Sequence, residues 1–181
     1  AALFMTMLRS TFRVEARTNN SAKALLCAVN DSMRINLDDK SFVTALCLVI
    51  EEDGTSMTYA RAGHPMLLHL DPHTKEPTNV KCSGIALGLV SDQAIFSDMI
   101  EEVTIPLRHG DRFLVYTDGL TEATDPEKNS YGNKRLFDLL SQCPGGPDEI
   151  IQAIMHDVKI FCRGAPYHDD LTILAMEVQG A

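Results

Sequence analysis

Two short segments put carboxylates where an apolar strand stops or starts. In Tyr116-Thr117-Asp118-Gly119 the run Phe113–Tyr116 ends and a glycine lets the chain turn. In His168-Asp169-Asp170-Leu171-Thr172 a last apolar run is about to begin. A strand end held by its sheet can fix a carboxylate, and clustered carboxylates are the hard oxygen donors that Mg2+ or Mn2+ require. Without a cation their mutual repulsion is costly. Taken singly, each segment is more often a plain turn or a solvated cap, because motifs this short match by chance.

Other reactive side chains point less far. His64 could serve as a general acid, but between Gly63 and Pro65 it reads first as part of a hairpin connection, and such a role needs geometry before pKa. Cys47 and Cys82 lie in strand-like runs without a Cys-x5-Arg phosphate loop, so structural thiols are the better reading. The five cysteines are odd in number, widely spaced and free of any CxxC pair. That pattern supports neither a zinc site nor a disulfide framework, and suits reduced thiols in a cytoplasmic protein. The polar loop 121–131, directly after Asp118, can gate access to a site there or simply connect two elements.

The elements that must position these residues follow from periodicity. Leu3, Phe4, Met7, Leu8 and Phe12 give a first helix, ending near Arg17. Ala22, Leu25, Leu26, Val29 and Met33 give a second, capped by Asn20 or Ser21 and ending at the polar Asp38-Asp39-Lys40. Phe42–Ile50 reads as a strand covered on both faces, with a hairpin at Glu51–Gly54 and a return over Ser56–Ala62. Further strands are expected over Met66–Leu70, Asn79–Cys82, Phe96–Ile105, Arg112–Thr117 and Leu171–Val178. A short helix around Leu136–Leu140 and an amphipathic one from Pro147 to Gly164 lie between the last two. Helices and hairpins segregate rather than alternate, which indicates an α+β fold in a single domain.

Composition narrows the function. With 181 residues, 45% apolar, 23% charged and a net charge of −9, this is an ordinary globular balance. Sixteen scattered Lys and Arg residues form no basic stripe, which excludes a nucleic-acid binder. No apolar run is long enough to span a bilayer. The opening AALFMTMLRS reads as the inside of a helix, so the expectation is that more chain precedes Ala1.

The order of motifs carries more than any one of them. Phe42-Val43-Thr44, Tyr59-Ala60-Arg61-Ala62-Gly63-His64-Pro65 and Gly84-Ile85-Ala86-Leu87-Gly88 come first. Gly110-Asp111, then Tyr116-Thr117-Asp118-Gly119-Leu120-Thr121-Glu122-Ala123, Tyr131–Leu136 and Asp169-Asp170-Leu171-Thr172 follow. In that order they resemble the SpoIIE/RsbU-like branch of the PPM metal-dependent serine/threonine protein phosphatases, across essentially the whole of residues 1–181.

The resemblance implies a PPM-type αββα sandwich, two antiparallel sheets flanked by helices, with a dinuclear Mn2+ or Mg2+ site at one end. Asp118 and Asp169 match metal-ligating aspartates; Asp170 is the second choice at its position. Gly119 would serve the turn beside the metal, where a side chain would crowd the site. The family's other metal motifs, a GDxxD-like strand and a DxxGHG-like loop, are expected before Ala1, so this sequence holds part of the site and lacks the N-terminal strands. The implied activity is hydrolysis of phosphoserine or phosphothreonine, with a STAS-type anti-sigma-factor antagonist as substrate and an upstream sensor or receiver domain as controller. For these residues alone, no activity is expected. The rival from another class is a catalytically inactive module of the same fold that binds a regulatory partner. A Mg2+-dependent nucleotide hydrolase fits less well, for want of a phosphate-cradling glycine loop. The first two helices have broad apolar faces that can pack on the sheet or face a second copy, so a homodimer stays open.

Overall fold

The computed structural model describes residues 2–34, 41–74 and 76–180; the polar stretch Asp38-Asp39-Lys40, expected to end the second helix, lies outside them. Along the chain run α1 (Ala2–Glu15), α2 (Ala22–Met33), β1 (Ala45–Ile50), β2 (Ser56–Ala62), β3 (Leu68–Leu70), β4 (Pro77–Asn79) and α3 (Gln93–Met99). Then come β5 (Glu102–Pro106), β6 (Arg112–Tyr116), α4 (Asp118–Thr121), α5 (Gly132–Gln142), α6 (Pro147–Cys162) and β7 (Ile173–Glu177). The chain divides into two compact units, Ala1–His64 with Cys82–Leu107, and Pro65–Lys81 with Arg108–Ala181.

The first unit is built on the antiparallel sheet β1-β2-β5. Leu25, Leu26, Val29 and Met33, spaced to share one face of α2, are buried with Cys47, Ala60, Ala62, Phe96 and Ile100. Each fully buried aliphatic side chain is worth roughly 1.5–3 kcal/mol over its exposed state. The start of α2 is fastened to β5 through one carboxylate. Glu102 Oε2 accepts from the Ser21 hydroxyl and from the Lys23 N–H, both at 2.7 Å, while Ser21 Oγ caps the Ala24 N–H at 3.1 Å. A negative charge there also complements the helix dipole.

Two expectations for this unit are corrected. Phe96–Ile105 is not one strand: α3 covers its first part and β5 its second. The Asp92 carboxylate caps α3 by accepting the Ile95 N–H at 3.0 Å, and Phe96 and Ile100, four residues apart, are buried together. Helical spacing thus overrides the apparent strand pattern. The run from Phe42 begins pairing as a strand only at Ala45, although Val43 bridges Leu87. It is an edge strand rather than one covered on both faces, with Ile50 59% exposed.

The second unit carries the antiparallel sheet β4-β3-β6-β7. From it, Leu68, Leu70, Leu114 and Tyr116 join a core with Leu136 and Leu140 of α5 and with Ile150, Ile154, Val158 and Cys162 of α6. Pro147 opens α6, where its missing N–H costs nothing, and Asp148 and Glu149 occupy the first turn as the helix dipole favours. Strand β4 lies earlier than the expected Asn79–Cys82; beyond it, Val80 continues the pairing with an N–H bond to the Leu67 carbonyl at 2.9 Å. Below the start of β6, the buried Asp111 carboxylate contacts His69 Nε2 at 2.8 Å and accepts the Arg108 N–H at 2.9 Å. Two antiparallel sheets with helices make this the α+β class that the sequence indicates.

Candidate metal centre

Antiparallel pairing brings the two aspartate motifs to one end of one sheet. Tyr116, the last residue of β6, is partnered with Ile173, the first of β7. The strands stay tied beyond that point. Thr117 donates its N–H to the Thr172 carbonyl at 3.1 Å, and the Thr172 N–H donates to Thr117 Oγ1 at 3.0 Å. The same hydroxyl donates to the Asp170 carbonyl at 3.2 Å. One threonine therefore lashes the Asp118 motif to the Asp169-Asp170 motif.

Gly119 fills the narrowest gap between them. A Cβ at this position would stand 2.5 Å from the Asp170 carbonyl oxygen and 3.5 Å from that of Asp169. Its φ is not in the left-handed region, so the requirement is close approach of two backbones rather than conformational freedom. Asp118 opens α4, its carbonyl taking the Glu122 N–H at 2.9 Å and its Oδ1 the Gly119 N–H at 3.0 Å. Asp169 Oδ1 takes the Asp170 N–H at 2.8 Å. All three carboxylates are exposed.

In kind, these donors fit a hard divalent cation; in number, they fall short of holding two. Among the described residues, no group of three or more His, Cys, Asp or Glu side chains stands in an arrangement that could hold a metal ion. The structure thus places Asp118, Asp169 and Asp170 on adjoining segments without closing them into a finished cage.

The remaining candidates lie elsewhere. His64 follows β2, where its Nδ1 lies 3.3 Å from the Thr44 hydroxyl and its carbonyl accepts from Arg61 Nη1. Arg61 also donates Nε–H to the Cys82 carbonyl at 2.7 Å. All five cysteines are free thiols. Burial pushes Cys47 up to about 11 and raises Cys82 as well, which keeps both protonated at neutral pH and disqualifies them as nucleophiles.

Loop 121–131 is tied by hydrogen bonds at several points. The buried Asp125 carboxylate accepts the Asn129 N–H at 2.8 Å and its amide at 3.0 Å, and the Asp125 carbonyl accepts the Lys128 N–H at 2.9 Å. Hydrogen bonding from the Asn129 side chain is the main reason its carboxyl sits below the usual range. Arg163, just past α6, reaches Asp125 at 3.4 Å and Glu127. The loop's end is pinned by Tyr131, whose hydroxyl donates to Asp157 at 2.7 Å beside a two-point Arg135–Asp157 pair. The sequence places Asp125 in this loop and Arg135 in the Tyr131–Leu136 motif without assigning either a contact, and it singles out neither Asp157 nor Arg163. Only the Asp-Pro-Glu-Lys-Asn spelling, with its side-chain turn-forming ends, was a signal for Asp125.

Comparison with known proteins agrees with this fold. The family described as Stage II sporulation protein E (SpoIIE) matches residues 1–179. The chain is 24% identical to Protein IcfG of Synechocystis sp. over 203 residues, covering 97% of this chain and 31% of that protein, so it spans about a third of that curated relative's length. Its fold matches the SiaA-PP2C domain of Pseudomonas aeruginosa at TM-score 0.79 and 22% identity, over 98% of this chain and 69% of that one. It also matches the RsbU and RsbW domains of Rv1364c from Mycobacterium tuberculosis at TM-score 0.76 and 24% identity, over 99% and 48%. Other matching structures of this fold are described in complex with magnesium or with two manganese ions.

Proposed function

The chain belongs to the SpoIIE family of PP2C-type (PPM) serine/threonine phosphatase domains, in its SpoIIE/RsbU-like branch, and from that premise we propose that its parent protein hydrolyses phosphoserine or phosphothreonine in a protein substrate through a Mn2+ or Mg2+ site that includes Asp118 and Asp169. The observation that carries this reading is the meeting of both aspartate motifs at one sheet end, with Gly119 pressed against the Asp170 backbone. Asp118 and Asp169 would hold the metal, with Asp170 the alternative at the second position. Bound there, the ions would supply an activated water and neutralise charge on the phosphoryl group. The chain's own part is positional. Thr117 keeps the two motifs in register, and Asp169 Oδ1, already accepting the Asp170 N–H, is oriented before any ligand arrives.

The family analogy extends the reading to a STAS-type anti-sigma-factor antagonist as substrate, to an upstream sensor or receiver domain as controller, and to the cytoplasm of a bacterium. No helix among the described residues is long and apolar enough to cross a membrane. One observation favours a second reading, a PPM-fold module that binds a regulatory partner without catalysis: the carboxylates do not form a finished cage.

Asp118→Asn in the intact protein separates the two. It keeps the size of the side chain and removes a charge, so the fold should persist while Mn2+ binding by titration calorimetry weakens and hydrolysis of a phosphoserine protein is lost. Removing one carboxylate from a crowded site can also raise thermal stability without metal. Near-normal turnover at saturating Mn2+ would remove Asp118 from the site.

A further inference from the structure

The segments that carry the candidate metal aspartates also enclose a cavity. Loop 121–131, after Asp118, and the connector 163–168, before Asp169, bound an open space of about 410 Å3. Its lining joins Pro126, Ala165 and Pro166 to the basic Lys128, Arg163 and His168, with Asp125 as its one acidic residue. His168 lines it and Asp169 follows directly in sequence, so the cavity lies within a few extended residues, about 3.3 Å each, of the candidate carboxylates.

Three observations set this cavity apart. Lys128 and Arg163 are the two non-glycine residues of the described chain with left-handed φ, 65° and 47°, and both line it. That conformation is costly for such residues and persists where neighbours over-determine it. At Lys128 the Asp125 turn does so, its carbonyl taking the Lys128 N–H and its carboxylate Asn129, while Arg163 is the left-handed cap that ends α6. The charges are also unequal. Arg163 is answered by Asp125 and Glu127, whereas Lys128 makes no side-chain hydrogen bond or ion pair with another described residue. In a chain of net charge −9, that is an uncompensated cation aimed at no partner of its own.

We propose that this cavity docks the stretch of substrate flanking the phosphorylated residue, seating an apolar side chain among Pro126, Ala165 and Pro166 and an acidic side chain against Lys128. The inference rests on the phosphatase reading above and makes Lys128 a specificity-determining residue. Opposite charge at such a rim sets partner choice, and like charge there penalises the wrong one.

The test uses the intact protein with two phosphoserine peptides that differ only in Glu or Lys beside the phosphoserine. kcat/KM from phosphate release and Kd from fluorescence anisotropy are measured for each. The unaltered protein should favour the Glu peptide by about threefold, the scale of one exposed charge pair. Lys128→Glu should reverse the order and Lys128→Arg should keep it. Because each variant is judged by a ratio of two peptides, partial loss of folding cancels. The same ratio in the unaltered protein and in Lys128→Glu, by both measurements, overturns the docking site. If neither peptide is hydrolysed, the phosphatase reading fails, and the anisotropy ratio alone decides the docking site.

Discussion

At Gly119 the constraint is a single atom's width. The sequence marks this glycine for the turn beside a metal, whereas the geometry gives the neighbouring Asp170 carbonyl as what a side chain would strike, at 2.5 Å. Backbone oxygen cannot swing aside as a flexible side chain can, so Gly119→Ala has to push the Asp170 turn away. Overpacking of this kind costs about 1–3 kcal/mol. The expected outcome is a lower urea midpoint together with weaker Mn2+ binding, since the displaced segment carries Asp169. A variant with unaltered stability and metal affinity would mean the two backbones are free to separate. Asp125 and Asp157 show the opposite case, residues whose importance is not written locally. Their cationic partners, Arg163 and Arg135, are 38 and 22 positions away, and a buried or half-buried carboxylate is readable only once its partner is known.

Among the elements, α5 and α6 are joined by a polar clasp as well as by their core. Asp157 on α6 takes both Arg135 bonds and the Tyr131 hydroxyl, and the Arg135 guanidinium stands 5.5 Å from the Tyr131 ring centre and 5.0 Å from that of Phe161. The Arg135 hydrogen bonds hold the Asp157 carboxyl below its ordinary range. Burial, reinforced by Asp157, pushes the Tyr131 hydroxyl up, so it stays a donor. The sign for stability follows. A carboxyl with a depressed folded-state pKa stabilises fully above the unfolded value near 4, and that contribution is lost as pH falls through the lower folded value. Asp157→Asn should cost about 1–2 kcal/mol at pH 7, the lower part of the range for charged hydrogen bonds because Arg135 is open to solvent. The gap between variant and unaltered protein should begin to narrow below about pH 4 and close as pH falls through the lower folded value. Melts at pH 7 and at a series of values below about pH 4 read both, and a gap that does not narrow over that series would assign the cost to packing. Elements with one dominant pattern, such as α2, β2, β6 and α6, were legible from the sequence. Where two patterns competed, as over Phe96–Ile105, the cap supplied by Asp92 decided for helix, and β1 is read correctly as apolar but not as an edge, because edges depend on which strands are absent.

For the molecule as a whole, fold and family were legible because they reside in the order of motifs along the chain, which no single motif carries. The site was legible only as candidate residues, since a metal centre is defined by all of its ligands together and no single motif shows the set. Asp118, Asp169 and Asp170 are exposed carboxylates on adjoining segments, and no group of three ligating side chains is assembled among the described residues. Two divalent ions each want about six oxygens, and affinity falls as charged ligands are removed and the cage loosens. Among the described residues β1 is an edge strand, apolar and beside an open groove of about 830 Å3, which adds a route to self-association. Residues 1–181 produced alone should therefore bind Mn2+ weakly, without a two-site isotherm, and release no phosphate from a phosphoserine peptide even at millimolar Mn2+. They should also elute in size-exclusion chromatography at a concentration-dependent volume. Tight two-site binding with steady turnover from these residues would show that a full set of ligands lies within this sequence, and that side chains beyond the three named here take part.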